Sequence, residues 1–330
     1  MIRALGVIAL LALPLYSAAE TSPPPPELVL VSEHPVEGIP GGNLSGLAWC
    51  GDGLQAVSDR DDHHLYRLDM REAVWQAEAE RLEPPPVPDS GLPWGLRMRT
   101  LAISPLRGGS LDFEGLSCDA LGNRYLLSEG HAAVLRVSAT GDAQWLDLPR
   151  SLLRQARASG MMLKYNALYE GIAVDPKGER LWLAAERERR GLLVVHRNGA
   201  RWRCTGGCVL LSEGGMVHSP VREEERWVSK DFTALAWFDN KLFTLERAAH
   251  QLCRRNPANG EVERCWSFAA TAGEADRRYA QGDGHAEALW VDADGVWVGL
   301  DNNFLPRGDG DARPIIWRFA APRGGWGARR

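Results

Sequence analysis

The sequence contains no apolar run long enough to cross a bilayer as a helix, a span that takes about 20 residues. It also lacks a basic surplus. Lys and Arg number 38 against 43 Asp and Glu, a formal net charge of −5, which excludes the basic footprint of a nucleic-acid binder. Several catalytic signatures are missing as well. There is no Gly-x-Ser-x-Gly nucleophile elbow, no His-Glu-x-x-His zinc helix and no Arg-His-Gly of the histidine acid phosphatases. Any hydrolysis by this chain therefore has to use an activated water, with a carboxylate or a metal ion supplying the activation. The mixed-sign runs at 186–190 and 222–226 read as solvated turns.

What is present begins with an export signal. Arg3, an apolar run from Ala4 to Leu15 and the small residues Ser17, Ala18 and Ala19 predict a signal peptide over 1–19. A stiff Pro-rich linker over 20–27 follows, then one domain over 28–322. Cleavage would remove Arg3 and no acid, taking the formal charge from −5 to −6. A periplasmic or secreted monomer is expected. Six cysteines in an exported chain predict disulfides. Cys204 and Cys208 flank a Thr-Gly-Gly turn, and Cys253 and Cys265 flank a second turn, which leaves Cys50 and Cys118. A zinc site is the competing reading, disfavoured by irregular spacing and the lack of a suitably placed His.

The main signal is a repeat. "NLSGLAW" (43–49), "DFEGLSC" (112–118), "LYEGIAV" (168–174), "DFTALAW" (231–237) and "HAEALWV" (285–291) share one frame. Each runs into a turn and then a second apolar stretch ending in an acid: Asp59, Glu129, Glu186, Glu246 or Asp301. Such stretches around Asp-Gly or Asn-Lys turns are β-hairpins. Five hairpins at this spacing predict an all-β fold: a single β-propeller of four-stranded antiparallel blades. Five blades are the first reading. A sixth could use an extra strand from "MRTLAISPLRG" (98–108). The strands near 27–36 and 314–320 should pair to close the ring. Residues 83–95 are too rich in Pro for a central strand, 151–166 has helical spacing, and Trp49, Trp182, Trp237, Trp290 and Trp297 should pack within or between blades.

Antiparallel pairing puts the leading and trailing residues of each hairpin at its open end. Glu114, Glu170 and Glu287, with Ser45 and Thr233 in the remaining copies, should ring one mouth of the channel in front of the five trailing acids. Crowded carboxylates raise one another's pKa unless cations or donors intervene. Ca²⁺, held by Asp59, Glu129, Glu186, Glu246 and Asp301, is the simplest compensating ion. Arg60, Arg187 and Arg247, which directly follow trailing acids, are either internal counter-ions or an anion grip. His285, two residues before Glu287, belongs near the channel, whereas His63-His64 reads as a solvated pair.

The segments "DFEGLS", "YEGIAV" with "AAER", "LER" and "LDNN" resemble the phytase-like esterase domain family of exported bacterial proteins, over about residues 30–320. The resemblance implies hydrolysis of a small ester or phosphoester and marks Glu114, Glu170, Glu186, Glu246, Asp301 and Asn302 as matching positions. The expected catalytic set is Glu114, Glu170, Glu287 and His285, with Arg60, Arg187, Arg247 and Asn302 for substrate. The competing functions are a non-catalytic binding propeller, in which the acids are scaffold, and a metal-dependent lactonase.

Overall fold

The computed structural model describes residues 23–107, 109–221, 227–279 and 285–328, with the side chains of 104–107 excepted. The expected signal peptide and the run 222–226 lie outside the described residues. The end of the linker docks on the body: Ser267 N–H donates to the Pro26 carbonyl at 2.9 Å, and Ala270 N–H to the Glu27 carboxylate at 2.7 Å.

Every repeat copy folds as a hairpin. Gly46–Cys50 pairs with Gly53–Val57, Phe113–Cys118 with Arg124–Ser128, and Tyr169–Val174 with Arg180–Ala185. Ala234–Phe238 pairs with Lys241–Glu246, and Ala286–Val291 with Gly295–Leu300. The turns explain why. Asp239 and Asn240 both have positive φ (46° and 56°), the geometry of a two-residue turn matched to strand twist. Each hairpin is extended outward by further antiparallel strands. In the last unit the outer strand is the N-terminal Leu30–Glu37, antiparallel to Ile315–Ala320, the closure expected from the sequence. A short parallel contact, Val36 with Trp75, joins this unit to the first, so the two form one eight-stranded sheet. The five leading strands neighbour one another in a cycle. The architecture is mostly β and propeller-like.

The repeated glycine accounts for the tight centre. A Cβ on Gly46 would lie 2.8 Å from the backbone nitrogen of Leu116, and one on Gly171 would lie 2.9 Å from that of Leu235. Leading strands thus approach to a distance that a larger side chain prevents. The next residues of the frame, Leu47, Leu116, Ile172, Leu235 and Leu289, are all buried. Together they line an axial void of only about 10 Å³, a plug between the two mouths. Two tryptophan stacks brace the other end. Trp49 lies on Trp290 (5.3 Å between ring centroids) and Trp237 on Trp182 (4.6 Å). Trp182 and Trp297 are buried, while Trp49 keeps 38% exposure.

Two expectations need correction. Residues 98–107 contribute no extra strand, because helix α1 spans Trp94–Arg107; Gly108, the last residue of the expected strand, lies outside the described residues. The first turn of α1 folds back on Pro93, whose carbonyl accepts from Leu96 and Arg97 N–H, and Thr100 continues the helical pattern by donating its hydroxyl to the Leu96 carbonyl. Helix α2 is shorter than the predicted 151–166, covering Arg150–Ala158 with Leu152 and Ala156 buried. Gly160, Met162 and Asn166, all at positive φ, end it.

All six cysteines are paired: Cys50–Cys118, Cys204–Cys208 and Cys253–Cys265. Three disulfides are the pattern of an extracellular or periplasmic chain. Cys50–Cys118 joins the ends of two leading strands across 68 residues of sequence, Cys204–Cys208 across 4. Loop-closure entropy gives the long bridge about 4 kcal/mol and the short one about 2. Urea denaturation of C50A/C118A and C204A/C208A should show the larger loss in the first; equal losses would count against this ranking.

Candidate active site

The three leading glutamates have a local structural cause for pointing inward. In their hairpins the register slips between Phe113 and Gly115, between Tyr169 and Gly171, and between Ala286 and Ala288. Glu114, Glu170 and Glu287 are therefore the bulged residues, and a β-bulge re-aims a side chain out of the ladder. The Ser45 and Thr233 copies pair in regular register from Gly46 and Ala234 onward. Thr233 instead donates its hydroxyl to the Ala286 carbonyl at 2.8 Å, tying two units together.

The bulged glutamates converge. Burial first, then Glu170, Asp59, Asp112 and Glu287, pushes Glu114 well above the usual carboxylate range. Burial, with Glu186, Glu129 and Glu287, does the same to Glu170. Asp59, Asp112 and Glu114 bring donor atoms within 4.8 Å of one another, and so do Glu129, Glu170 and Glu186. Glu186 Oε2 is buried and has no hydrogen-bond partner, although Oε1 is held by Arg247 at 2.9 Å and Arg187 at 3.1 Å. Asp301 hydrogen-bonds Glu287, and burial, then Glu287 and Asp59, pushes it up to about 9. Asn43 donates to its carboxylate at 3.3 Å. His285 reaches the Asp301 carbonyl through Nδ1 at 2.6 Å and packs its ring against Tyr279.

The arginines separate into different roles. Arg247 is buried among acids from three units, bonding Asp231 (3.2 Å), Glu186 (2.9 Å) and Glu287. It is an internal counter-ion. Arg60 pairs with Asp59 at 3.2 Å and keeps 24% side-chain exposure. Arg187 bonds Glu186 and the Asn166 carbonyl and keeps 36%. These two retain solvent-facing surface beside the acids. Glu246 sits apart from both carboxylate clusters. Arg190 holds one of its oxygens at 2.9 Å and Arg255 the other at 2.7 Å. Burial alone would raise its pKa, yet these two cations outweigh burial and bring it below the ordinary value. Asn302 is buried, with its amide donating to Ala312 and its Oδ1 lacking a partner. His64 pairs with Asp61 at 2.9 Å, away from the acids of the mouth.

Two members of the mouth were not singled out from the sequence, Asp112 and Asp231. Their signal was available in the shared "DF" that opens "DFEGL" and "DFTAL". Asp112 adopts φ 56°, turning the chain into the bulge, and Asp231 accepts from Ala248 N–H at 3.0 Å as well as from Arg247.

The raised carboxyls carry a consequence for stability. Folded Glu186 holds its proton to about pH 7 and Asp301 to about pH 9, whereas in the unfolded chain both lose it near pH 4. Their contribution is complete below that range and is lost as pH rises through the folded values. Calorimetry of chelated protein from about pH 5 to about pH 9 should show Tm falling by at least about 4 °C. Asp301→Asn should flatten the upper part of that fall; a flat wild-type profile would refute the assignment.

With this geometry established, relatives can be compared. No curated protein matches the chain in sequence. Among solved structures, glutaminyl cyclase from Myxococcus xanthus is similar over 90% of this chain and 99% of that one, at 12% identity and TM-score 0.50. A structure from the nidogen/laminin complex is similar over 82% and 78% (13% identity, TM-score 0.44). Virginiamycin B lyase from Staphylococcus aureus is similar over 88% and 99% (9% identity, TM-score 0.42). The model of a family described as "Phytase-like: Esterase-like activity of phytase" matches residues 39–252, nearly two thirds of the sequence, and the chain belongs to that phytase-like esterase family.

Proposed function

We propose that the chain is an exported, five-bladed propeller hydrolase of small esters or phosphoesters, acting at the carboxylate mouth. One observation carries the reading. Three bulged glutamates meet Asp59, Asp112, Glu129, Glu186, Asp231 and Asp301 in one largely buried space, with Arg60, Arg187 and Arg247 among the cations that contact them. Carboxyls crowded in this way, with burial and like charge raising Glu114, Glu170 and Asp301, favour a bound cation or retained protons.

The donor set fits a hard divalent cation such as Ca²⁺. All of its ligands are oxygens, and Glu186 Oε2 is buried without a partner. Asp59, Asp112 and Glu114 would hold one ion, and Glu129, Glu170 and Glu186 another. Glu246, saturated by two arginines, serves the scaffold. Bound cations would supply positive charge for the ester or phosphoester oxygens.

The chain's own residues supply proton transfer. Glu287 retains side-chain exposure of 13% and is oriented by Arg247. It accepts a proton from the attacking water as the new bond forms at the carbonyl carbon or phosphorus. Asp301, still protonated at neutral pH, gives its proton to the leaving alkoxide as the ester bond breaks. The hydrogen bond between the two returns the proton from Glu287 to Asp301. His285, bonded to the Asp301 backbone, positions that segment. Arg60 and Arg187 lie where an anionic part of the substrate could be gripped.

A second reading has its own support. Arg247 links acids of three units, and Glu129 accepts from Leu168 N–H at 3.0 Å, so some of the acids hold the ring together. In that reading the protein is a binding propeller.

The test uses p-nitrophenyl acetate and p-nitrophenyl phosphate, with Ca²⁺ or chelator. Wild type should hydrolyse at least one, and Glu287→Gln should lower kcat by about 10²-fold or more while leaving the Ca²⁺-induced rise in Tm intact. Glu114→Gln should reduce that rise. No hydrolysis by wild type, together with a Tm indifferent to Ca²⁺, would leave the scaffold reading.

A further inference from the structure

The mouth opposite the carboxylates is also a cavity, of about 340 Å³. Every leading strand contributes to it near its hairpin turn, and its charge and chemistry differ from those of the acid mouth. Trp49, Trp237 and Trp290 line it beside Pro176. The plug leucines form part of its wall, so the axial path to the acids is closed. Among the lining residues the one ionisable side chain free to carry charge is Asp119.

Asp119 is an unusual neighbour for three indoles. It is 7% exposed, and its donors are all neutral. Leu121 N–H and Asn123 N–H reach Oδ1 at 3.0 Å, while the Asn123 amide (2.7 Å) and Tyr125 hydroxyl (3.0 Å) reach Oδ2. No basic side chain pairs with it among the described residues. A Cβ on Gly178 would lie 2.8 Å from Asp119 Oδ2, so the turn of the adjoining unit closes over the carboxylate and limits its hydration. Four neutral donors hold the carboxyl in place, and the cation of this network, Arg136, bonds Asn123 Oδ1 at 2.7 Å rather than Asp119 itself.

Three indoles and a carboxyl without a direct ion pair among the described residues, on one cavity, favour one class of ligand. A neutral apolar molecule gains only the indole surface, and an anion is repelled. An inorganic cation would keep its water rather than exchange it for indole rings. An organic cation with an apolar skin gains from the ring quadrupoles and from the nearby carboxyl of Asp119. We propose that this second mouth binds a small quaternary or alkylated ammonium compound, independently of the hydrolytic site.

Choline chloride, titrated into the full chain and followed by tryptophan fluorescence, tests the proposal. Choline should give saturable quenching. Its uncharged carbon isostere, dimethylbutanol, should bind at least about tenfold more weakly, the loss expected when cation–π attraction to desolvated rings is removed. Trp49→Ala and Trp237→Ala should each weaken choline binding by a similar factor, with Trp237→Phe restoring most of it. Asp119→Asn should weaken choline and leave dimethylbutanol unchanged. Millimolar Ca²⁺, directed to the other mouth, should leave choline binding unaltered. Equal affinity for choline and dimethylbutanol, displacement of choline by Ca²⁺, or no quenching in a protein of unchanged Tm would each overturn the proposal. None of these outcomes bears on hydrolysis, because the probe and the variants address the opposite end of the channel.

Discussion

The structure depends on how closely five strands approach a common axis. At Gly46 and Gly171 the backbone of the next leading strand lies within 3 Å of where a Cβ would stand. That approach determines what the neighbouring positions of the frame can do. The residue after the glycine or alanine is forced into an apolar plug, and the residue before it must share a small space with its counterparts. Acids at three of those five positions create a charge problem that the fold cannot disperse, because the same tight packing that unites them keeps water out.

The solution is uneven around the ring. On one side Arg247 reaches Asp231, Glu186 and Glu287, and farther out Arg190 and Arg255 neutralise Glu246 while stacking on Phe232. On the other side Arg60 pairs with Asp59 at 3.2 Å. A buried ion pair by itself is weak evidence for stability. Here its placement is informative, because Arg247 ties acids of three units at the mouth to one another. An enzyme built on this ring would use the arginine-braced arc to fix the geometry of Glu287.

Much of this was legible in the sequence, and the limits have physical causes. The hairpins, their turns and the closing strand pair follow from short-range periodicity and from turn residues such as Asp239-Asn240, so they could be read directly. Two disulfides were legible for the same reason, since each spans a local turn. Residues 98–107 could not be assigned by pattern, because a short apolar stretch serves as strand or helix and its own periodicity does not decide between them. The bulges at Glu114, Glu170 and Glu287 were invisible because a register slip is a property of two strands together. Glu246 was misleading for a related reason. Its position in the repeat equals that of Glu186, but Arg190 and Arg255 approach it from other parts of the fold, and no local motif announces them.

The plug gives the two mouths independent chemistries on one scaffold. Leu47, Leu116, Ile172, Leu235 and Leu289 leave an axial void of about 10 Å³, the volume of about one water-sized probe. A ligand at one end therefore cannot pass to the other, and the field of the acid cluster reaches the indole cavity only through packed hydrocarbon. The repeat makes this division economical in sequence. Within a single frame the first residues face the carboxylate mouth, the central Leu or Ile seals the axis, and the last residues, Trp49, Trp237 and Trp290 among them, face the opposite cavity. Alternation along a strand sets which side each residue takes, and position along the same strand sets which mouth it serves. A change in the frame's leading residue thus alters the acid mouth without repacking the aromatic one.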